Sequence, residues 1–349
     1  MNILYGIQGT GNGHVARSRV MAKYLAERGA NVTYLFSGRE KNQYYEMEVF
    51  NDYLIRDGLT FVSEGGKISY LKTALKNNIW RFIKDVFSLD LSHYDLIITD
   101  FEPITAWAAK LRNKPVIGLG HQYAFGPDTP LADGGWLAKW VLRNFAPAQY
   151  GIGLHWYPYQ ENILPPIIDT SLAPKIMHNF IVVYLPFEDQ LEVTELLNVF
   201  SDYHFMLYAP QLTEIQHGNV LWQKTCYQGF KDNLTQSRGV ICNSGFELIS
   251  ESLHLGLPIL AKPIHGQMEQ QSNALALEQL QLADVMHFLD EDRIGKWLEM
   301  LDDDIQHKPQ LIPNVAKEIV DLIMAKNWEK TRVLSKALWK RPIFKSSEV

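Results

Sequence analysis

The chain has 349 residues, of which 46% are hydrophobic, and this length suits two domains with sizeable cores. Its formal net charge is −6, which argues against nucleic-acid binding through a basic surface. Its two cysteines, Cys226 and Cys242, provide no disulfide framework and fit a reducing compartment.

The N-terminal segment enters a predicted strand at once. The segment MNILYGIQGTGNGH lacks the basic start and the apolar core of a signal peptide. No apolar run reaches the roughly 20 residues that a membrane-spanning helix needs. We therefore expect a cytoplasmic protein.

The chain opens with a predicted strand, helix and strand at residues 2–7, 15–28 and 32–36. A glycine-rich loop, GTGNGH at residues 9–14, lies between the first strand and the helix. Such a loop can bind a dinucleotide, but the acidic residue that normally ends the second strand is missing, and Ser37-Gly38-Arg39 stands there. The pattern therefore disfavours a dehydrogenase.

Two polar residues follow predicted buried strands in the first half. Asp100 follows the strand at 95–99, and His121 follows the strand at 115–119. The carboxyl ends of parallel strands are where open α/β sheets place their sites. Two alternatives stay open: Asp100 caps the next helix, and His121 is an ordinary loop residue.

The middle of the chain marks a predicted domain boundary. Residues 123–160 are rich in aromatic side chains and predict one helix and an edge strand near 152–156, which either line a site or pack in the core. A proline-punctuated passage follows and serves as a linker. We predict a first domain at 1–165, a second round of β/α alternation at 166–325, and a basic helix or tail at 326–349.

Residues 239–273, GVICNSGFELISESLHLGLPILAKPIHGQMEQQSN, form the most informative stretch. They predict a strand, a tight turn at 243–245, a helix at 246–255, a second strand, a polar loop and a further helix. The free amides at the start of the first helix form an anion site. A phosphate at that helix start and a ribose beside Glu251 are both within reach.

The order S-G-F-x(4)-E-x(4)-G-x-P-x(4)-P-x(5)-E-Q-x-x-N resembles the donor motif of GT-B glycosyltransferases. It is similar to plant and antibiotic UDP-sugar enzymes and to the N-acetylglucosaminyltransferase of peptidoglycan synthesis. The resemblance implies a donor site in which Asn243, Ser244, Gly245 and Phe246 meet the diphosphate, Glu251 holds the ribose, and Glu269 and Gln270 hold the sugar. Gln267 and Asn273 complete the predicted donor site.

The resemblance also implies a fold and an acceptor side. It predicts an α/β protein with two Rossmann-like domains facing across a cleft, and a last helix that crosses back to the first domain. Peptidoglycan-type enzymes place a glycine-rich loop ending in histidine against this cleft. We therefore assign Gly11 and Gly13 to the acceptor side, and we add His121 because it follows a buried strand whose end could line the cleft.

The implied reaction is an inverting sugar transfer, for which His14 and Asp100 are alternative catalytic bases. Enzymes that use a divalent metal typically carry a D-x-D pair in the donor site. The run Asp302-Asp303-Asp304 is interpreted instead as solvated surface, so we predict no metal and no cofactor besides the nucleotide sugar. The helix dipole and its amides would carry the charge of the leaving group.

Two departures from the family pattern concern the phosphates. Many relatives have histidine at the position of Asn243, and asparagine brings no charge. Many also have a Gly/Ser-rich phosphate loop where this chain has Pro186-Phe187-Glu188-Asp189. The contact that this loop makes with the donor phosphates must therefore be weaker here or come from another part of the chain.

The sequence thus predicts a metal-independent glycosyltransferase with a UDP-sugar donor and a hydroxyl acceptor, either lipid-linked or a cell-envelope glycan. The alternatives are a UDP-sugar 2-epimerase and a nucleotide-sugar-binding protein without turnover. The basic, aromatic tail is expected to cross back to the first domain, and peripheral contact with an anionic membrane is a second use.

Overall fold

Two seven-stranded sheets, one in each half of the chain, organise the fold. The computed structural model describes residues 1–61, 63–64, 67–68, 70–133, 135–175, 177–302, 309–340 and 343. Helices cover both faces of each sheet, as mainly parallel sheets require. The predicted architecture of two Rossmann-like domains is confirmed.

The first sheet has the strand order β3-β2-β1-β6-β7-β8-β9, and all its neighbours pair in parallel. A separate antiparallel pair, β4-β5, completes the strands of this half. The strands are β1 (Asn2–Gln8), β2 (Asn31–Ser37), β3 (Tyr53–Arg56), β4 (Ser63–Glu64), β5 (Lys67–Ile68), β6 (Leu96–Asp100), β7 (Val116–Gly120), β8 (Tyr150–Leu154) and β9 (Ile163–Leu164).

Five helices accompany these strands: α1 (Asn12–Glu27), α2 (Tyr70–Lys76), α3 (Ile79–Ser88), α4 (Pro103–Leu111) and α5 (Gly135–Asn144). The whole of β6 and β7 is buried, which is why both read as continuous apolar runs. Their carboxyl ends deliver Asp100 and Gly120 to the same edge of the sheet.

The second sheet has the order β12-β13-β11-β10-β14-β15-β16 and is parallel except for β12. Its strands are β10 (Ile181–Tyr184), β11 (Phe205–Ala209), β12 (Ile215–His217), β13 (Val220–Lys224), β14 (Gly239–Asn243), β15 (Ile259–Lys262) and β16 (Asp284–Val285). Its helices are α6 (Gln190–Asn198), α7 (Tyr227–Leu234), α8 (Phe246–Leu255), α9 (Met268–Gln279), α10 (Glu291–Asp302) and α11 (Val315–Met324).

The last helix, α12 (Thr331–Leu338), crosses back to the first half of the chain. The Ser335 hydroxyl and the Trp339 indole N–H both donate to the carbonyl of Ile163 in β9, at 2.7 and 2.8 Å. This confirms the crossing that the resemblance implied.

Three details differ from the sequence predictions. Helix α1 begins at Asn12, three residues earlier than predicted, so the glycine-rich loop ends inside its first turn. The strand predicted at the sheet edge is β8, and β9 pairs outside it. Strand β12 was not predicted, because its three residues are too short for an alternating pattern.

The predicted domain boundary at residue 165 falls between the two sheets. The last strand of the first sheet ends at Leu164, and the first strand of the second sheet begins at Ile181. We retain 1–165, 166–325 and 326–349 as proposed units.

Candidate active site

A cavity of about 280 Å³ lies between the two halves and is lined by residues of both. It brings together ten residues that the sequence singled out, which are Gly11, Gly13, His14, Asn243, Gly245, Phe246, Glu251, Gln267, Glu269 and Gln270. Four others, Asp100, His121, Ser244 and Asn273, are not among its lining residues.

His14 and Asp100 form a hydrogen-bonded pair at the edge of this cavity. The His14 Nδ1 lies 2.7 Å from the Asp100 Oδ1. The His14 side chain is 15% exposed, whereas the Asp100 side chain is fully buried. If Nδ1 carries the proton and donates it to Asp100, Nε2 keeps a free electron pair.

Arg17 holds Asp100 from the other side. Its Nε lies 2.9 Å from Oδ2 and its Nη2 lies 2.5 Å from Oδ1, which is a bidentate pair. Burial acts to raise the pKa of Asp100, but the charges and hydrogen bonds of Arg17 and His14 outweigh it and lower that pKa below the ordinary value. Asp100 is therefore an ionised group with its oxygens occupied.

The cap of α4 is Glu102, which resolves one of the alternatives for Asp100. The Glu102 carboxylate accepts from the main-chain N–H groups of Ile104 and Thr105 at 2.9 and 2.7 Å. Phe101, between the two acids, adopts a φ of 54°, which is uncommon for a residue other than glycine. This tight turn directs Glu102 to the helix and leaves Asp100 to His14 and Arg17.

Arg17 also joins the two halves of the chain, a role that the sequence analysis missed. Its Nη1 contacts the Glu247 carboxylate in the first turn of α8, across the cleft. Arg17 lies one turn after His14 on α1, and this i, i+3 spacing places both on one face of the helix. In the sequence, only this spacing from His14 could have indicated that Arg17 belongs to the site.

The start of α8 is open toward the cavity. The N-cap residue is Gly245, and no side chain caps the helix. An added Cβ at Gly245 would meet no atom within 4 Å, so a ligand can approach its main chain closely. Beside it, Asn243 donates through Nδ2 to the Lys262 carbonyl at 3.1 Å, while its buried Oδ1 has no partner. The N-terminus of α8 is thus available to an anion.

Glu251 lines the cavity but is already paired. Its carboxylate contacts the Lys231 ammonium of α7, and both side chains are buried. Lys231 was not singled out from the sequence, because its partner lies on another helix twenty positions away.

The first turn of α9 and the loop before it line another part of the cavity. The Glu269 Oε1 accepts from the Gln122 Nε2 of the first half at 3.0 Å. The Gln270 Oε1 accepts from the main-chain N–H of Ile264 at 3.1 Å, which fixes the loop. The buried Oε1 of Gln267 has no partner.

His121 and Asn273 correct the predictions made for them. The His121 Nε2 lies 2.5 Å from the Asn273 Oδ1, and its Nδ1 lies 2.8 Å from the Leu154 carbonyl. The ring also stacks on Phe246, with centroids 4.2 Å apart. His121 is 1% exposed, so it supports the contact between the two halves instead of facing an acceptor.

Ser244 has a similar supporting position. Its hydroxyl donates to the Gln270 carbonyl at 2.8 Å, and its carbonyl accepts from Asn273 at 2.9 Å. Both side chains are fully buried. Ser244 and Asn273 therefore shape the turn before α8 from beneath, and their side chains do not reach the cavity.

The first half contributes an apolar end to the cavity. Phe61, Phe101 and Phe145 line it, with the rings of Phe101 and Phe145 stacked 5.0 Å apart. Phe61 and Phe145 are 6.1 Å apart. Only part of the aromatic segment 123–160 reaches this end, since Trp136 and Trp140 are exposed.

Asp302, the described member of the acidic run, is not among the residues that line the cavity. Asp302 accepts from the Tyr203 hydroxyl at 2.5 Å and pairs with Arg238 at 2.8 Å. Asp303 and Asp304 lie outside the described residues. Across the described ranges, no group of three or more His, Cys, Asp or Glu side chains is arranged to hold a metal ion.

The family comparison identifies a sequence family. A family model described as glycosyl transferase family 1 matches residues 1–302. An uncharacterised glycosyltransferase of Methanosarcina acetivorans is 25% identical over 318 residues, which cover 80% of this chain and 81% of the relative.

Solved structures share the fold at low sequence identity. Phytolacca americana UGT2, complexed with UDP-2-fluoro-glucose and pterostilbene, has a TM-score of 0.57 and 15% identity, covering 97% of this chain and 99% of its own. Acinetobacter baumannii MurG has a TM-score of 0.52 and 16% identity, with coverages of 93% and 99%.

Proposed function

Because the chain belongs to glycosyl transferase family 1 and is a glycosyltransferase, we propose the details of its reaction. The proposed enzyme is inverting and independent of metal, and it transfers a sugar from a UDP-sugar to a hydroxyl group. One observation carries this proposal: the His14–Asp100 pair and the uncapped start of α8 meet at the same cavity.

In the proposed step, the His14 Nε2 takes the proton of the acceptor hydroxyl. The acceptor oxygen attacks the anomeric carbon while the bond from that carbon to the diphosphate breaks. The nucleoside diphosphate leaves with the electron pair. Asp100 holds the histidine ring and stabilises its charged form. It is assigned this supporting role, and not that of the base, because Arg17 occupies its oxygens and it has no exposed surface.

The charge on the leaving diphosphate is proposed to rest on the amides of α8 and on nearby donors. Gly245 leaves space for a phosphate at the main chain, and Asn243 faces the same cavity. This arrangement needs no metal ion, which supports the proposed metal independence without testing it.

The donor is proposed to be a UDP-sugar. The plant enzyme with the same fold was solved with UDP-2-fluoro-glucose. In this chain, Glu251 is proposed to hold the ribose, and Gln267, Glu269 and Gln270 the sugar. All four line the cavity.

The acceptor is proposed to carry an apolar portion, as a lipid-linked or cell-envelope glycan acceptor would. The support is the group of Phe61, Phe101 and Phe145 beside the histidine. Gly11 and Gly13 are proposed to let that acceptor approach His14.

The test is a thermal-shift panel of nucleotides and nucleotide sugars without added metal, followed by turnover of the sugar that binds. UDP at a hundred times its dissociation constant should stabilise the protein by about 2.7 kcal/mol. Glu251→Gln should lose most of this shift, because the ribose loses a charged acceptor. His14→Gln should keep the shift and lose turnover by roughly 10²- to 10⁴-fold.

Glu278→Gln is the matched control, since Glu278 lies at the end of α9 and only faces His287 at the surface. It should behave like the wild type. A wild type that no nucleotide stabilises would contradict the donor proposal. Full turnover in His14→Gln would contradict the assignment of the base.

A 2-epimerase is the second candidate, because the cavity assembles three carboxylates that such chemistry uses. Each has a partner: Glu247 has Arg17, Glu251 has Lys231 and Glu269 has Gln122. Conversion of UDP-N-acetylglucosamine to its 2-epimer without an acceptor would favour it. Tight UDP binding with neither reaction would favour a binding protein.

The place of action is proposed to be the cytoplasm, with peripheral contact to the membrane through the basic tail. None of the described helices is long and apolar enough to cross a bilayer. In the tail, Lys330, Lys336 and Lys340 are exposed, although Lys336 also lies 3.5 Å from Glu161.

A further inference from the structure

Arg39 is a cation in the cavity whose charge no carboxylate balances within the described part of the chain. It follows β2 and lines the same cavity as His14 and Asn243. Its Nη1 donates to the Asn12 Oδ1 at 2.9 Å, and its guanidinium lies 4.2 Å from the centre of the Tyr44 ring. Its buried Nε has no hydrogen-bond partner.

The other cations that line or border the cavity already have strong acceptors. Arg17 has Asp100 and Glu247, Lys231 has Glu251, and the Arg19 fork donates to the main-chain carbonyls of Tyr45 and Glu46. Arg39 differs because the Asn12 amide is the one strong acceptor that it has within the described residues, while the Tyr44 ring and hydroxyl lie beside it. Such a guanidinium keeps most of its capacity for an anion.

Arg39 also lies near the carboxyl ends of β10 and β14 in the second sheet, where the start of α8 is proposed to bind phosphate. Asn12, which accepts from Arg39, donates through Nδ2 to the Tyr184 hydroxyl at 2.9 Å. Tyr184 ends β10 and lies in register with Cys242, the neighbour of Asn243 in β14. Burial raises the pKa of Tyr184, while the Asn12 hydrogen bond and the Arg39 charge oppose that rise.

The same edge lacks the usual supply of positive charge. The segment after Tyr184 is Leu185-Pro186-Phe187-Glu188, with no glycine-rich phosphate loop. Lys262 is near, but its ammonium is paired with Glu188 at 2.7 Å. Asn243 is neutral at neutral pH, so the second domain alone offers the diphosphate amides and dipoles but no free cation among these residues.

We propose that Arg39 binds the diphosphate of the nucleotide-sugar donor from the first domain, across the cleft from α8. This inference rests on the proposed function. The anion is a nucleoside diphosphate, and the planar guanidinium can donate to two phosphate oxygens at once. Donor binding then draws the two domains together, because the diphosphate bridges Arg39 and the start of α8.

The test is calorimetric titration of the full chain with UDP, UMP and uridine, without metal. Arg39→Gln should weaken UDP binding by roughly ten- to a hundredfold, the loss of a charge-assisted hydrogen bond. Uridine affinity should stay within about twofold, since uridine has no phosphate. Arg39→Lys should bind UDP with intermediate affinity, because it keeps the charge and loses the fork.

Arg28→Gln is the matched control. It also removes an arginine that joins the two halves, since Arg28 pairs with Asp321 at 2.6 Å, but it lies on the exposed surface outside the cavity. It should leave UDP binding unchanged.

Two results would overturn the inference. One is an Arg39→Gln variant that binds UDP as the wild type does, and the other is an equal loss of UDP and uridine affinity. A wild type that binds no nucleoside diphosphate would overturn the proposed donor itself and this inference with it. A failure of the proposed donor and a failure of the role proposed for Arg39 therefore give different results.

Discussion

At the scale of single residues, the cavity depends on which carboxylate has which partner. Asp100 and Glu102 are two positions apart and equally buried, yet one holds His14 and Arg17 while the other caps α4. Their pKa values shift in opposite directions for the same reason. Arg17 and His14 outweigh burial and lower the pKa of Asp100, whereas burial outweighs the N–H and hydroxyl donors and raises that of Glu102.

The lowered pKa of Asp100 predicts a pH-dependent contribution to stability. A carboxyl with a depressed folded pKa stabilises the protein above its ordinary value, about 3.9, and that stabilisation is lost as the pH falls through the lower folded value. At neutral pH, Asp100→Asn should lower the free energy of unfolding by about 3–5 kcal/mol, because Arg17 loses its charged partner. The difference from wild type should shrink below about pH 4.

Urea unfolding of both proteins from pH 7 to pH 3 measures this difference. Asp95→Asn is the control, because Asp95 precedes the same strand and lies at the exposed end, where it only accepts from the Asn2 N–H. The same deficit for Asp100→Asn at pH 3 and pH 7 would contradict an ionised Asp100 with a lowered pKa.

At the scale of elements, the site depends on the close approach of two helix starts. Gly13 lies in the first turn of α1 and faces Glu247 in the first turn of α8. A Cβ added to Gly13 would lie 2.6 Å from the Glu247 Oε2, whereas one added to Gly11 would meet nothing within 4 Å. Of these two glycines, only Gly13 is needed for the close contact between α1 and α8.

Gly13→Ala and Gly11→Ala provide a matched pair of substitutions. Gly13→Ala should displace the Glu247 carboxylate from Arg17 and lower the free energy of unfolding by about 1 kcal/mol or more. It should also reduce turnover, because the Arg17–Asp100–His14 geometry loses its anchor on α8. Gly11→Ala, at the N-cap of α1, should cost roughly 0.5–1 kcal/mol through the weaker cap and should leave the contact between Arg17 and Glu247 intact.

Thermal unfolding and initial rates with the nucleotide sugar that the thermal-shift panel selects measure both effects. Equal effects of the two substitutions would show that the close contact with Glu247 has no special importance.

At the scale of the whole molecule, contacts outside the His14–Asp100 pair hold the halves together. His121 contacts Asn273, the Trp156 indole donates to the Ser250 hydroxyl at 2.9 Å, and α12 docks on β9. Since α12 buries one face on the first sheet, only its outer face, with the exposed lysines, remains for a membrane.

Sedimentation with vesicles that contain anionic phospholipid tests the membrane proposal. At low salt the wild type should pellet with such vesicles, and replacing three tail lysines by glutamine should weaken binding by roughly a hundredfold. The three are Lys330, Lys336 and Lys340, and a control replaces the exposed Lys23, Lys41 and Lys110 instead. Absence of wild-type pelleting at low salt would contradict the proposal.

The sequence by itself determined the fold class, most of the order of elements and the stretch at 239–273 that contributes seven of the predicted residues to the cavity. These depend on short-range patterns: buried runs such as β6 and β14, the glycine turn before α8, and the spacing from Ser244 to Asn273. The ten predicted residues that line the cavity came from the resemblance to the GT-B donor motif and glycine-rich loop, whereas the strand-end argument pointed to Asp100 and His121, which do not line it.

Only the tertiary structure decided which of these side chains face the cavity and what each one contacts. His121 and Asn273 are more than 150 positions apart, and their mutual contact is what turns both away from a ligand. Arg17 pairs across the cleft with Glu247, Lys231 pairs with Glu251 on the neighbouring helix, and the buried Nε of Arg39 has no hydrogen-bond partner. Local patterns carry no information on such pairings, because the energies of buried charges depend on neighbours that only the packed domains bring together.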